Sequence, residues 1–63
     1  MKFYYVVVTE VDGSKHADVL TLLDNDNLIT KIPVNTVGMY QRKTFKAAKE
    51  CAIAWNVVFE NNL

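Results

Sequence analysis

The sequence predicts an α+β protein in which a three-stranded antiparallel sheet (β-β-β) packs on one C-terminal α-helix. Two stretches rich in β-branched and aromatic residues, which favour strands, flank an Asp12-Gly13 pair. From Thr44 onward the apolar residues instead recur with the period of a helix. The chain has 63 residues, so we expect one domain covering 1–63.

The first two strands are predicted as a hairpin at about 2–11 and 14–23. Asp12-Gly13 forms the turn, because glycine accepts the positive φ that a type I′ turn requires. With these two residues at the tip, Glu10 faces Lys15 and opposite charges lie across the strands. The same register fixes every other cross-strand pair of the hairpin.

The third strand is predicted at about 28–32, where Leu28, Ile29 and Ile32 supply apolar side chains. The preceding Asp24-Asn25-Asp26-Asn27 has the composition of a turn. Pro33 ends the strand, because proline cannot donate to a ladder.

Residues 34–43 carry the weakest pattern of the chain. Gly38 argues against a regular element in this segment. An early helical turn is the alternative, because Val37 and Tyr40 would continue the inner face of the following helix.

The helix is predicted at about 44–61. Thr44 is suited to the N-cap, and the segment that follows contains neither glycine nor proline. At 100° per residue, the residues that gather on one face are Ala48, Cys51, Ala52, Trp55, Val58 and Phe59.

Both faces of the predicted sheet are apolar, although a single helix covers only one of them. We assign to the helix the face that carries Tyr4, Val6, Val8, Ala17, Val19, Leu23, Leu28 and Ile32. A slip of one residue in the register would exchange the two faces. The opposite face is predicted to be an interface, together with two residues one turn apart on the helix; its residues are Phe3, Tyr5, Val7, Leu20, Leu22, Ile29, Ile53 and Val57.

This apolar surface predicts that another protein chain covers it, most simply a second copy that forms a homodimer. A domain of this size has a small core, and association is one remedy for the resulting low stability. The alternative is that residues 33–43 fold back across the open face.

The sequence predicts neither an enzyme nor a metal or cofactor site. It has no G-x-S-x-G motif, and its two glycines exclude a dinucleotide-binding fingerprint. His16 and Asp18 could form a hydrogen-bonded pair on one strand face, but Cys51 is expected on the inner face of the helix. The Asp24–Asn27 turn begins like a calcium loop, yet the sixth and twelfth positions are Ile29 and Asn35.

A basic run at the start of the helix supports a second interpretation. Arg42, Lys43, Lys46 and Lys49 occur with no acidic residue among positions 41–49. Positive charge beside the free N–H groups of a helix start could bind phosphate or nucleic acid. The whole chain carries seven basic and seven acidic residues, which is too neutral to envelop nucleic acid by charge alone.

The β-β-β-α order, with Thr44-Phe45-Lys46-Ala47-Ala48-Lys49-Glu50-Cys51-Ala52 leading to Trp55-Asn56, resembles short proteins of phage and prophage genomes. That resemblance implies an accessory role, such as binding a host or phage protein without catalysis. The order also resembles the three-stranded-sheet DNA-binding domains of plant AP2-type factors and integrase amino-terminal arms. Those domains read the major groove with basic and aromatic residues on the sheet, whereas the strands predicted here offer only Lys2, Lys15 and Lys31.

We therefore expect a non-enzymatic protein–protein interaction module that self-associates. The alternative is a weak nucleic-acid or phosphate binder that uses the basic run. No apolar stretch approaches the roughly 20 residues that span a bilayer, and the single cysteine suits a reducing compartment. We expect a cytoplasmic location and no membrane contact.

Overall fold

The structure is a computed structural model that describes residues 2–61. It contains three strands and two helices, in the order β1 Lys2–Val11, β2 Ser14–Leu23, α1 Leu28–Lys31, β3 Thr36–Arg42 and α2 Phe45–Asn61. The strands form one antiparallel sheet in the order β2-β1-β3. The predicted fold class is confirmed, and because β1 is central, both β2 and β3 are edge strands.

The hairpin between β1 and β2 has the predicted register. Asp12 and Gly13 have φ values of 52° and 83°, as a type I′ turn requires at both central positions. Glu10 pairs with Lys15, and Val8 pairs with Ala17. This part of the fold depends on contacts close in sequence, so the turn residues and the flanking strand composition are sufficient to predict it.

The prediction of a third strand at 28–32 is wrong, because this segment contains the short helix α1. The side chain of Asn27 accepts a hydrogen bond from the N–H of Ile29 at 2.9 Å and caps the helix. The hydroxyl of Thr30 donates to the Asn27 carbonyl, also at 2.9 Å. Ile32 then turns to extended backbone with ψ of 140°, as expected for the residue before Pro33.

The third strand is instead β3, which lies in the segment where Gly38 argues against a regular element. Gly38 does not interrupt it, because that residue lies in the ladder opposite Val8. A bulge shifts the register between Val8 and Thr9. Beyond the bulge, the N–H of Glu10 donates to the Asn35 carbonyl at 3.1 Å and continues the contact between the two strands.

The core lies between the sheet and α2. It consists of Val6, Val8 and Ala17 from the sheet and Ala48 and Ala52 from α2, and the half-buried residues around it are Tyr4, Val19, Cys51, Trp55 and Phe59. The sheet face assigned to the helix is therefore the observed one. Of the other residues assigned to that face, Leu28 and Ile32 lie at α1 and outside the sheet, and Leu23 is exposed.

Residues 24–35 connect the two edge strands, β2 and β3. β2 ends beside Lys2 and β3 begins beside Thr9, so the connection must run the length of β1 and pass over it. Val7 and Leu22 alternate with the core residues and lie on the face away from α2, yet each is only 4% exposed. We infer that this connection covers them, because α2 lies on the other face. The predicted alternative, in which residues 33–43 fold back across this face, is wrong for residues 36–42, which form β3 in the sheet.

Helix α2 begins at the predicted cap. The Thr44 hydroxyl accepts a hydrogen bond from the N–H of Ala47 at 3.1 Å, and the Thr44 carbonyl accepts from Ala48 at 3.0 Å. The first turn contains no acidic residue, although acidic side chains would complement the helix dipole there.

Candidate interaction surface

The exposed surface holds more large hydrophobic side chains than the core does. Among residues 2–61, seven hydrophobic residues are buried, and three of those are alanine. Eleven large hydrophobic residues are exposed: Val11, Leu23, Ile29, Val34, Val37, Met39, Tyr40, Phe45, Ile53, Val57 and Val58. Single exposed hydrophobic residues are common, so only those that lie next to one another indicate a candidate binding surface.

The eight residues predicted as an interface are distributed over three environments. Val7 and Leu22 are buried within this chain, so the face predicted to be open is closed at these two positions. Phe3, Tyr5 and Leu20 are half-buried on the same face. Ile29, Ile53 and Val57 are exposed, with Ile29 on α1 and the other two one turn apart on the outer side of α2.

The free edge of β2 is occupied by a side chain from α2. The Asn56 carboxamide accepts from the Ala17 N–H at 2.7 Å and donates to the Ala17 carbonyl at 2.9 Å. A residue in an antiparallel ladder directs both of these backbone groups to the same side. The N–H and C=O groups of Ala17 therefore point away from β1, and Asn56 occupies the position that a neighbouring strand would take.

The same edge is occupied a second time at the end of β2. The N–H of Leu23 donates to Asp26 Oδ2 at 2.9 Å, and the Leu23 carbonyl accepts from the Asp26 N–H at 3.0 Å. Between Ala17 and the hairpin tip, β2 also carries Lys15 and His16. Charge and occupied backbone groups both hinder strand pairing, so the β2 edge is protected.

The direction of the backbone groups on β3 follows from those on β2. Because the backbone groups of Ala17 point away from β1, those of its partner Val8 point away from β2 and toward β3. The N–H of Glu10, two residues further along β1, also points to this side, where it donates to the Asn35 carbonyl. Gly38 and Tyr40 pair with Val8 and Val6, so their backbone groups point toward β1. Met39 and Gln41 consequently direct their N–H and C=O groups to the outside of the sheet; we call this set of groups the β3 edge.

The β3 edge is far less protected than that of β2. Among residues 2–61, no side chain caps Met39, and no acidic or basic residue occurs between Thr36 and Gln41. One contact lies on the edge: Arg42 Nη1 donates to the Gln41 carbonyl at 2.8 Å. A carbonyl has two lone pairs, so this oxygen can accept a second hydrogen bond.

An aromatic stack lies beside the β3 edge on the α2 side of the sheet. Trp55 stacks on Tyr40 with ring centroids 5.5 Å apart and on Phe59 with centroids 5.6 Å apart. A recess of about 170 Å³ between β3 and α2 includes these rings with Val37 and Gly38. Because Trp55 already stacks on two rings of this chain, less of its surface is left for stacking a nucleic-acid base.

Two of the predicted basic residues, Arg42 and Lys49, lie on different flanks of α2. Arg42, Lys43, Lys46 and Lys49 are all exposed. The Arg42 guanidinium lies on the β3 side of α2, where Nη2 is 3.5 Å from Cys51 Sγ. Lys49 lies on the β2 side, in a recess it shares with Asp18.

The side chains with catalytic potential are also separated. His16 Nε2 lies 3.3 Å from Asp18 Oδ2, so the two side chains are close together, and both are exposed on β2. Cys51 is half-buried on the opposite flank of α2. Residues 2–61 contain no cluster of three or more His, Cys, Asp or Glu that could hold a metal ion.

Sequence reasoning missed Asn56 and the β3 edge. Asn56 had a detectable signal, since an amide on the inner flank of an otherwise apolar helix needs a buried partner. The β3 edge had no detectable signal, because its existence depends on which strand lies at the centre of the sheet. Comparison of the chain with protein-family models, curated proteins and solved structures gives no match. Within the part of the chain that the structure describes, no helix has the length and apolar character needed to cross a membrane.

Proposed function

We propose that this protein is a non-enzymatic protein–protein interaction module that self-associates as a homodimer in the cytoplasm. The observation that supports this most is the imbalance between seven buried hydrophobic residues and eleven large exposed ones among residues 2–61. Folding alone leaves this surface in water, whereas association removes it at about 25 cal/mol per Å² of apolar area. The accessory role implied by the resemblance to phage and prophage proteins agrees with this proposal.

Two exposed groups support binding. One consists of Ile53 and Val57 on the outer side of α2, which are 54% and 50% exposed. The other surrounds the β3 edge and includes Val37, Met39 and Tyr40. Because these groups lie on different sides of the molecule, the module can bind a second copy through one and another protein through the other.

The nucleic-acid alternative has weaker support. Two of its four basic residues, Arg42 and Lys49, lie on different flanks of α2, and Lys49 has Asp18 nearby. The aromatic rings that could stack on bases instead stack on one another. The proposal of a protein-binding module therefore takes precedence.

Light scattering over a wide concentration range, at low and at high salt, tests the proposal. We expect a dimer whose dissociation constant changes little with salt, since burial of apolar surface does not depend on screened charges. A monomer at every concentration would contradict self-association. A dimer that dissociates steeply as salt rises would show that charge, and not apolar contact, holds it together.

A further inference from the structure

We infer that the second copy of this chain binds at the β3 edge, so that two three-stranded sheets join into one six-stranded antiparallel sheet. This inference rests on the proposed self-association and specifies its surface and register. A free strand edge with unpaired N–H and C=O groups is a template for another strand. Both edges of this sheet could in principle serve, and the structure distinguishes between them.

The β2 edge is less available, because side chains already occupy the backbone groups of two of its outward-facing residues. Asn56 occupies both groups of Ala17, and Asp26 occupies both groups of Leu23. An incoming strand would have to displace these contacts before it could pair beyond the short stretch between Ala17 and Leu23. On β3, the groups of Met39 and Gln41 face outward, and only the Gln41 carbonyl carries a contact, from the exposed Arg42 side chain.

The outward groups determine the register of the pair. A twofold axis normal to the sheet through Tyr40 places Met39 opposite Gln41 of the second copy, and Gln41 opposite its Met39. Each of these two pairs exchanges both hydrogen bonds, which gives four bonds in total. An axis through Met39 would instead bring Gln41 opposite Val37, which lies at the bulge, so the register centred on Tyr40 is favoured.

Charge and shape are compatible with self-pairing in this register. The strand carries no charge from Thr36 to Gln41, so no like charges face each other. The two Arg42 residues are four positions apart along the strands, or about 13 Å, which exceeds the Debye length of about 8 Å at physiological salt. Arg42 lies opposite Gly38, which has no side chain to obstruct it.

The two Tyr40 residues meet at the axis, on the face that carries α2. Tyr40 is 36% exposed, with Trp55 against one side of its ring. Directly opposed residues that exchange no backbone bonds have Cα atoms about 4.5 Å apart. The second Tyr40 therefore covers a ring surface that this chain leaves in water, and it does so next to the only tryptophan.

Cysteine cross-linking tests the register. In a Cys51→Ser background, Tyr40→Cys should form a disulfide-linked dimer under mild oxidation, because Cα atoms at this spacing meet the geometry of a disulfide. Met39→Cys and Gln41→Cys are matched controls, and each alone should cross-link far less. Efficient cross-linking through Met39→Cys in place of Tyr40→Cys would overturn the proposed register.

A proline scan tests the edge without relying on Tyr40. Gln41→Pro removes an outward N–H and spares the bonds to β1, so it should raise the dimer dissociation constant by about tenfold or more. Thr21→Pro is the matched control, because the N–H of Thr21 points outward from the β2 edge. This variant should leave the dimer intact. Circular dichroism verifies that each variant is folded.

The outcomes separate this inference from the proposed function. A wild-type dimer that Gln41→Pro does not weaken, and that Tyr40→Cys does not cross-link, would overturn binding at the β3 edge while self-association stands. A wild-type monomer at every concentration would overturn the proposed function and this inference with it.

Discussion

Asn56 bonds to Ala17 through both ends of its carboxamide, at 2.7 Å to the N–H and 2.9 Å to the carbonyl. The pair joins α2 to the edge strand β2 across 39 positions of sequence. Its first consequence is stability, because both groups are partly buried. Its second concerns association: it blocks strand pairing at Ala17 on the β2 edge and so favours pairing at β3.

We expect Asn56→Ala to lower the free energy of unfolding by about 2 kcal/mol, at roughly 1 kcal/mol for each of two hydrogen bonds. Urea unfolding measured by tryptophan fluorescence gives this difference. Asn61→Ala is the matched control, because Asn61 is exposed at the end of α2, and it should change stability by less than about 0.5 kcal/mol. Equal stability of Asn56→Ala and the wild type would contradict the role of this pair.

Asn56→Asp tests whether both bonds matter. A carboxylate can still accept from the Ala17 N–H, but it cannot donate to the Ala17 carbonyl and repels that oxygen. We therefore expect Asn56→Asp to be destabilised at neutral pH and to recover part of the loss in acid, where the protonated side chain can donate. Urea unfolding at both pH values, with the wild type measured in parallel, tests this expectation; an identical loss at both pH values would contradict it.

The hairpin and α2 could be predicted from sequence because their determinants are local. Asp12-Gly13 sets the turn and thereby the register of two strands. Thr44 caps the helix through bonds within four residues. Such signals do not depend on where the rest of the chain lies.

The third strand could not be predicted, because its position depends on a pairing between distant segments. Leu28 and Ile29 have the composition of a strand, but the Asn27 cap holds them in α1. Gly38 weakens any local preference for a strand, yet pairing with Val8 places it in the sheet. The β3 edge, and with it the candidate interface, depends entirely on this distant pairing.

The two glycines should respond differently to alanine. Gly13 has a φ of 83°, where a Cβ is strained, so Gly13→Ala should cost about 1 kcal/mol of stability. At Gly38, an added Cβ would meet atoms of Val8 and Tyr40 at an ordinary 3.6 Å. Gly38→Ala should therefore be neutral or slightly stabilising in urea unfolding. A larger loss at Gly38 than at Gly13 would contradict the assigned backbone geometry.

The cap of α2 gives a fourth prediction. Thr44→Ala removes the hydroxyl that accepts from Ala47 at 3.1 Å and should cost about 1 kcal/mol, whereas Thr44→Ser should retain most of the stability. Lys46→Glu should raise stability by a few tenths of a kcal/mol or more, because an acidic residue in the first turn complements the helix dipole. Thermal unfolding of the three variants tests the order. Loss of stability in Lys46→Glu would show that this lysine has a favourable contact of its own.

The basic run decides between the two interpretations of function. Replacement of Arg42, Lys43, Lys46 and Lys49 by Gln should leave the dimer mass unchanged in light scattering, because the proposed interface uses backbone and apolar groups. Fluorescence anisotropy with labelled single-stranded and duplex DNA provides the complementary measurement, and we expect weak binding by both proteins. If four residues neutralised four phosphates, log K would instead fall with log salt at a slope of about −3 to −4. Such a slope in the wild type, abolished in the Gln variant, would favour nucleic-acid binding over protein binding. A slope near zero in both proteins would leave the exposed apolar surface as the feature that function has to explain.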